Sequence, residues 1–264
     1  MNRRHFLGGI AVAAMARPAL SANAPQQIEI GSGEERIVLA RYAARHEGRR
    51  PSVLLLHGSR GFELHLRAYE RYTDALTSEG IDAYLARYYT ATDAEKMKSF
   101  RSKEEREVYE TAQYDSWSQR VSTAVAAVLK GDAGSDRIGL LGFSLGGFVA
   151  AATASRDSRV SALAVLYGGM PDKLVPEVRR MPAMIELHGD ADRNVPFASG
   201  TSLVALAKAT GPSAEQITYP GKPHGFDFAD DDPATQDAVT RVAGFFRTHL
   251  GSGTPDEAKP NAPR

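Results

Sequence analysis

The 264-residue sequence predicts an α/β fold, with a mostly parallel central sheet of about eight strands and helices on both faces. Three observations carry this expectation. Short apolar runs alternate with helix-length segments along most of the chain. Runs such as Val53-Leu54-Leu55-Leu56 and Ile138-Gly139-Leu140-Leu141 are apolar throughout, as strands covered on both faces should be. The first two strand-like segments precede any helix, so they predict a hairpin at one sheet edge.

Taken in order, the hairpin strands lie near 27–31 and 36–42. A buried strand follows over 52–57 and a helix over 64–78. Strand 82–86 leads into a charged and aromatic stretch, and a long helix is expected over 104–130. Strand 137–142 and helix 146–155 come next, then strands 162–167 and 183–188. Helix 196–210 starts at Val195-Pro196, with proline in its first turn. Strand 215–219 and helix 233–249 complete the series. The stretch from Tyr88 to Gln119 is charged first and aromatic later. It predicts either a solvated helix leading into the long one or a partial cover over a site. No internal repeat is present.

The chemistry centres on Gly142-Phe143-Ser144-Leu145-Gly146-Gly147. A serine in G-x-S-x-G between a strand and a helix is a nucleophile elbow. The glycines are geometric requirements, because the turn is tight and the helix starts close to the strand. The serine hydroxyl then stands at the carboxyl end of the strand, facing helix N-terminal N–H groups.

Such a serine needs a base and an acid, which follow it in the order Ser, Asp or Glu, His. His224 sits in Tyr219-Pro220-Gly221-Lys222-Pro223-His224-Gly225-Phe226, a loop held in one shape by Pro and Gly. It is the expected base, with His188 at a strand end as the second choice. Two carboxylates, Asp190 and Asp192, compete for the acid in His188-Gly189-Asp190-Ala191-Asp192-Arg193-Asn194-Val195-Pro196. Asp192 is favoured because it stands deeper in the loop, and Asp190 is expected to bond its own turn. The run Asp230-Asp231-Asp232 suits a solvated helix start.

An oxyanion hole combines the N–H after the nucleophile with one from the loop after the third strand. The expected donors are the backbone of Leu145 and of Ser59 in His57-Gly58-Ser59-Arg60-Gly61, with Arg60 as the near alternative to Ser59. His57 is expected to pack the turn. Arg60 is either a solvated arginine or a cation at the pocket mouth that favours an acidic substrate. Tyr88 and Tyr89 follow a strand end, where ligand contacts collect in open sheets. One of them is expected to touch substrate.

Taken together, Leu56-His57-Gly58-Ser59-Arg60-Gly61, the serine elbow, Asp192-Arg193-Asn194-Val195-Pro196 and Pro220-Gly221-Lys222-Pro223-His224-Gly225-Phe226 resemble the dienelactone hydrolase family of α/β-hydrolases. The resemblance spans residues 28 to 250. It implies the α/β-hydrolase fold, Asp192 as acid and His224 as base. There is one departure. The best-known members use a cysteine nucleophile, and this chain has Ser144 and no cysteine. The resemblance therefore implies ester or lactone hydrolysis by a base-dependent serine through an acyl-enzyme. A peptidase or acyltransferase on the same three residues is the alternative, and a non-catalytic binding protein with this fold is a further one.

Residues 1–24 read as a signal peptide. Arg3-Arg4-His5-Phe6-Leu7, a short apolar stretch and Ala22-Asn23-Ala24 resemble the twin-arginine export signal of bacteria. The expected location is periplasmic or secreted, with the export machinery as a transient partner. The apolar stretch is shorter than the roughly 20 residues of a membrane span, so no stable anchor is expected. Residues 25–250 form the hydrolase domain, and 251–264 are expected to be a disordered tail.

Basic and acidic residues number 32 each. Loss of Arg3, Arg4 and Arg17 with the leader leaves 29 against 32, a net of −3. Such a surface offers no electrostatic case for nucleic acid. No thiol is available for a disulfide or metal, and no H-x-x-x-H spacing occurs. Neither metal nor cofactor is expected, only a small ester or lactone substrate.

Overall fold

A computed structural model describes residues 24–45, 49–131 and 137–251. Eight strands form one sheet: β1 (Gln26–Ile30), β2 (Ile37–Tyr42), β3 (Ser52–Leu56), β4 (Asp82–Arg87), β5 (Ile138–Phe143), β6 (Val160–Leu166), β7 (Ala183–Gly189) and β8 (Ala214–Tyr219). Their spatial order is β1-β2-β4-β3-β5-β6-β7-β8. Only β2 runs against the rest. It pairs antiparallel with β1 and β4, and all other pairings are parallel.

The α-helices of the described residues are α1 (Leu66–Ser78), α2 (Ala91–Ser99), α3 (Lys103–Lys130), α4 (Leu145–Arg156), α5 (Phe197–Thr210) and α6 (Pro233–Leu250). Side chains alternate across the sheet, so each strand feeds two cores. Leu54 and Leu56 pack with Trp117, Val121, Val149 and Leu203 of α3, α4 and α5. Val53 and Leu55 pack with Tyr72 and Leu76 of α1 and with Val242 and Phe246 of α6. Burial on both faces is the reason these strands read as continuous apolar runs.

The chain runs from β3 out to β4, then returns through α2 and α3 to β5 on the other side of β3. The direction of winding reverses there. A crevice opens at the carboxyl ends of β3 and β5, where open α/β sheets bind their ligands.

The ambiguous stretch 88–119 folds as two helices. Thr90 and Asp93 form a capping box at the start of α2, and the Ser102 hydroxyl accepts from Glu105 N–H at the start of α3. The buried Asp93 carboxylate also accepts from Tyr109 Oη at 2.6 Å and Trp117 Nε1 at 3.0 Å, pinning α2 to α3. Pro196 caps α5 from outside instead of occupying its first turn. The expected leader over 1–24 and tail over 251–264 lie outside the described residues, apart from Ala24 and Gly251. No described helix is long and apolar enough to cross a membrane.

Candidate active site

Ser144 stands between β5 and α4 with φ 54° and ψ −120°. Few L-residues adopt such backbone angles, and strain of this kind costs of order 1–3 kcal/mol. The elbow is held by Ser144 N–H to Leu166 O at 2.9 Å and by Gly147 N–H to Ser144 O at 2.8 Å. Gly146 lets α4 approach β3. A Cβ there would stand 2.3 Å from Leu56 O and 2.5 Å from His57 O, both backbone atoms. Gly146→Ala is therefore expected to destabilise the fold by about 3 kcal/mol, read as a lowered midpoint in chemical denaturation. An unchanged midpoint would show that the β3–α4 packing relaxes freely.

The structure brings the three sequence-predicted residues together. Ser144 Oγ lies 3.0 Å from His224 Nε2, and His224 Nδ1 lies 2.7 Å from Asp192 Oδ2. A carboxylate oxygen only accepts, so Nδ1 carries the proton and Nε2 presents a lone pair to the serine hydroxyl. Asp192 Oδ1 accepts from the N–H groups of Asn194 at 2.7 Å and Val195 at 3.0 Å. Burial opposes the charge of Asp192. Hydrogen bonds from His188, His224 and Val195 outweigh it and hold the carboxyl well below the usual range.

Asp190 does not bond its own turn as expected. Its carboxylate accepts from Gly221 N–H at 2.6 Å, tying the Asp192 loop to the His224 loop. The Ala191 N–H bond to Lys222 O adds a second tie. The Asp230–Asp232 stretch behaves as a helix start, with Asp232 capping α6 through Ala234 N–H.

His188 is buried and makes no hydrogen bond to Ser144. Its Nδ1 lies 2.7 Å from Glu186 Oε1, and its Nε2 lies 3.2 Å from both Asp192 Oδ2 and Val195 O. Glu186 is marked in the sequence only as a carboxylate inside the apolar run Ala183–Leu187.

Two backbone groups stand at the elbow. Leu145 N–H is in the first turn of α4, where helical N–H groups have no intrahelical partner. Ser59 N–H makes no hydrogen bond among the described residues. Its loop is braced from behind. Tyr88 Oη donates to His57 O at 2.9 Å and Tyr89 Oη to Ser59 O at 3.3 Å. The Tyr88 ring stacks on the His57 ring at 4.3 Å. Burial pushes the His57 imidazole down to about 4, only partly offset by its hydrogen bond to Gly58 O, so it is a neutral packing group. Neither tyrosine lines the cleft, a correction to the expectation of substrate contact. Both lie behind the loop because β4 ends beneath it.

The cleft in front of Ser144 has a volume of about 1100 Å³. Its walls come from the 58–61 loop, the first turns of α3, residues 170–175 and α5. Phe148, Met170, Leu203 and Leu206 supply apolar surface. Three cations at the walls have acidic partners: Lys103 with Glu107 at 3.4 Å, Arg106 with Glu110 at 3.2 Å, and Lys173 with Asp115 at 3.4 Å. Burial pushes the Glu110 carboxyl up to about 7, against the pull of Arg106. Arg60 also lines the cleft, is exposed, and has no carboxylate partner among the described residues.

Tyr167 supports His224, with ring centroids 4.6 Å apart. It too has positive φ, at 42°. Its hydroxyl and that of Tyr72 each donate at 2.8 Å to the fully buried Asp227. Among the described residues, no group of three or more His, Cys, Asp or Glu could hold a metal ion.

The profile of the dienelactone hydrolase family matches residues 39–250, most of the chain. The chain belongs to the dienelactone hydrolase family. No curated protein matches it. Among solved structures, a dienelactone hydrolase from Anabaena variabilis is similar at 18% identity and TM-score 0.68, covering 86% of this chain and 100% of that one. Esterase 2 of Thermogutta terrifontis, solved phosphoramylated by tabun, gives 19%, 0.62, 91% and 100%. An acylaminoacyl peptidase from Pyrococcus horikoshii gives 13%, 0.67, 87% and 42%. At these identities the likenesses show the α/β-hydrolase fold of this dienelactone hydrolase family member. The family match makes it an esterase-like hydrolase.

Proposed function

We propose that this chain is an exported serine hydrolase that cleaves a small carboxylic ester or lactone through an acyl-enzyme. The hydrogen-bonded series Ser144 Oγ, His224 and Asp192 at the wall of the cleft carries the proposal. Ser144 Oγ attacks the carbonyl carbon while His224 Nε2 takes its proton. The N–H groups of Leu145 and Ser59 receive the developing oxyanion, each such donor contributing about 3 kcal/mol. His224 then protonates the leaving alcohol, or the ring oxygen of a lactone. Water, activated by the same imidazole, attacks the acyl-enzyme and releases the acid and Ser144. Asp192 keeps His224 in the productive tautomer and stabilises its imidazolium. A fluorophosphonate probe tests this directly. Mass spectrometry is expected to place the adduct on Ser144, and a protein left unlabelled at Ser144 overturns the proposal.

Arg60 adds a preference. With no acidic partner among the described residues and a place on the same loop as the Ser59 donor, it suits a substrate carrying a second, ionised carboxylate. Arg60→Ala is expected to lower kcat/KM for a dicarboxylic acid monoester about tenfold, a loss of about 1.4 kcal/mol. p-Nitrophenyl acetate, which has no second charge, should lose much less. Equal losses on both esters would rule out charge recognition.

The twin-arginine-like sequence of the first residues supports a location outside the cytoplasm. Replacing Arg3 and Arg4 by lysine is expected to leave the protein in the cytoplasmic fraction, and normal export of that variant would rule out a twin-arginine route.

A further inference from the structure

We propose that His188 is a positioning residue of the reaction, a buried imidazolium clamped between Glu186 and Asp192 that competes with His224 for the Asp192 carboxylate. The proposal rests on the roles given above to Ser144, His224 and Asp192.

The clamp follows from strand geometry. Glu186 and His188 are two residues apart on β7, so they share a face of the sheet. The β7 strand ends at Gly189, and the following turn brings Asp192 back against the same imidazole. The side chains of Glu186, His188 and Asp192 are all fully buried. Room for the Glu186 carboxylate comes from α5, where a Cβ on Gly200 would stand 2.4 Å from Glu186 Oε1.

Proton counting supplies the charge. His188 Nε2 faces two acceptors, Asp192 Oδ2 and Val195 O, so it must carry a hydrogen. His188 Nδ1 faces Glu186 Oε1 at 2.7 Å. A neutral imidazole has a single N–H, so its bare Nδ1 would oppose a carboxylate oxygen in a site without water exposure. Burial raises the Glu186 carboxyl against the pull of its bonds from His188 and Gln216, but Asp192 is a second carboxylate on the same ring, so we assign the proton of this contact to the imidazole, where it neutralises one of two buried charges. The other oxygen of Glu186 accepts from the Gln216 amide at 2.9 Å.

Among the described residues, the other groups in contact with the clamp are uncharged. The β8 strand contributes the neutral Gln216, and α5 contributes Gly200 and the Phe197 ring, 5.6 Å from the imidazole. The charged and titratable groups around the clamp are Glu186, Asp192 and, across Asp192, His224. Burial disfavours the imidazolium, but the bonds to Asp192 and Glu186 outweigh it and raise His188 to about 9.

Asp192 Oδ2 is therefore shared by two imidazoles, while Oδ1 is held by two backbone N–H groups. Four donors fix the carboxylate against rotation. A cation on its far side also draws on the same negative charge that attracts a proton to His224. Without that cation, Asp192 stabilises the His224 imidazolium more strongly, and the base is lost to protonation at higher pH.

The test is the pH profile of kcat/KM for p-nitrophenyl acetate in His188→Gln, which keeps an amide donor for Asp192 and removes the charge. The acid limb is expected to move up by about one pH unit. The kcat above the limb should fall while KM moves little. An acid limb coincident with that of the wild type overturns the proposal, provided Ser144→Ala is inactive, and leaves the triad standing. Hydrolysis that persists in Ser144→Ala overturns both. A second measurement needs no variant. Nitrogen NMR of the histidine-labelled wild-type protein should show both ring nitrogens of His188 protonated at pH 7. A bare ring nitrogen on His188 at that pH overturns the proposal even if His188→Gln does not fold.

Discussion

Ser144→Ala is expected to lower kcat for p-nitrophenyl acetate by on the order of 10⁵-fold or more, with circular dichroism and denaturation midpoint little changed. Loss of the hydroxyl removes the only nucleophile in contact with His224 Nε2 among the described residues. Alanine keeps the Cβ, so the backbone at φ 54° is no better and no worse accommodated. The oxyanion donors remain in place, and their residual effect over water is the rate that survives. A reduction of less than tenfold would mean that another group attacks the ester.

The second large effect is expected from Asp192→Asn, at about 10⁴-fold in kcat. An amide at this position can turn its NH₂ toward His224 Nδ1. The imidazole then takes the other tautomer, with its N–H aimed at Ser144 and no lone pair to accept the serine proton. The loop itself should hold, because the amide oxygen can still accept from Asn194 and Val195 N–H, as Oδ1 does now. Steady-state kinetics at a pH where the wild type is fully active checks this. Near-normal turnover would transfer the orienting role to another acid, and none is in contact with His224 among the described residues.

Most of the fold was legible because burial on both faces writes strands as unbroken apolar runs. Strand 183–188 was expected and β7 spans Ala183–Gly189; helix 233–249 was expected and α6 spans Pro233–Leu250. The short α2 was not separated from α3, because its stability comes from Asp93 reaching Tyr109 and Trp117, a contact formed 16 to 24 residues away. Periodicity within a window cannot register such a bond. The elbow, Asp192 and His224 were legible because tight turns demand Gly and Pro at fixed offsets. Tyr88 and Tyr89 misled because position at a strand end does not say on which side of a loop a ring lies. The tie from Asp190 to Gly221 crosses between two loops, so the turn chemistry of either one alone could not show it.

Among the described residues, the two of positive φ that are not glycine, Ser144 and Tyr167, both line the cleft. Glycine would tolerate either backbone without strain. Laboratory selection for heat resistance alone would therefore favour loss of the Ser144 side chain, and with it the proposed nucleophile, whereas the buried Tyr167 is kept by its packing and by its bond to Asp227. A thermostable descendant of this enzyme has to be sought in changes far from the crevice, with turnover screened at every round.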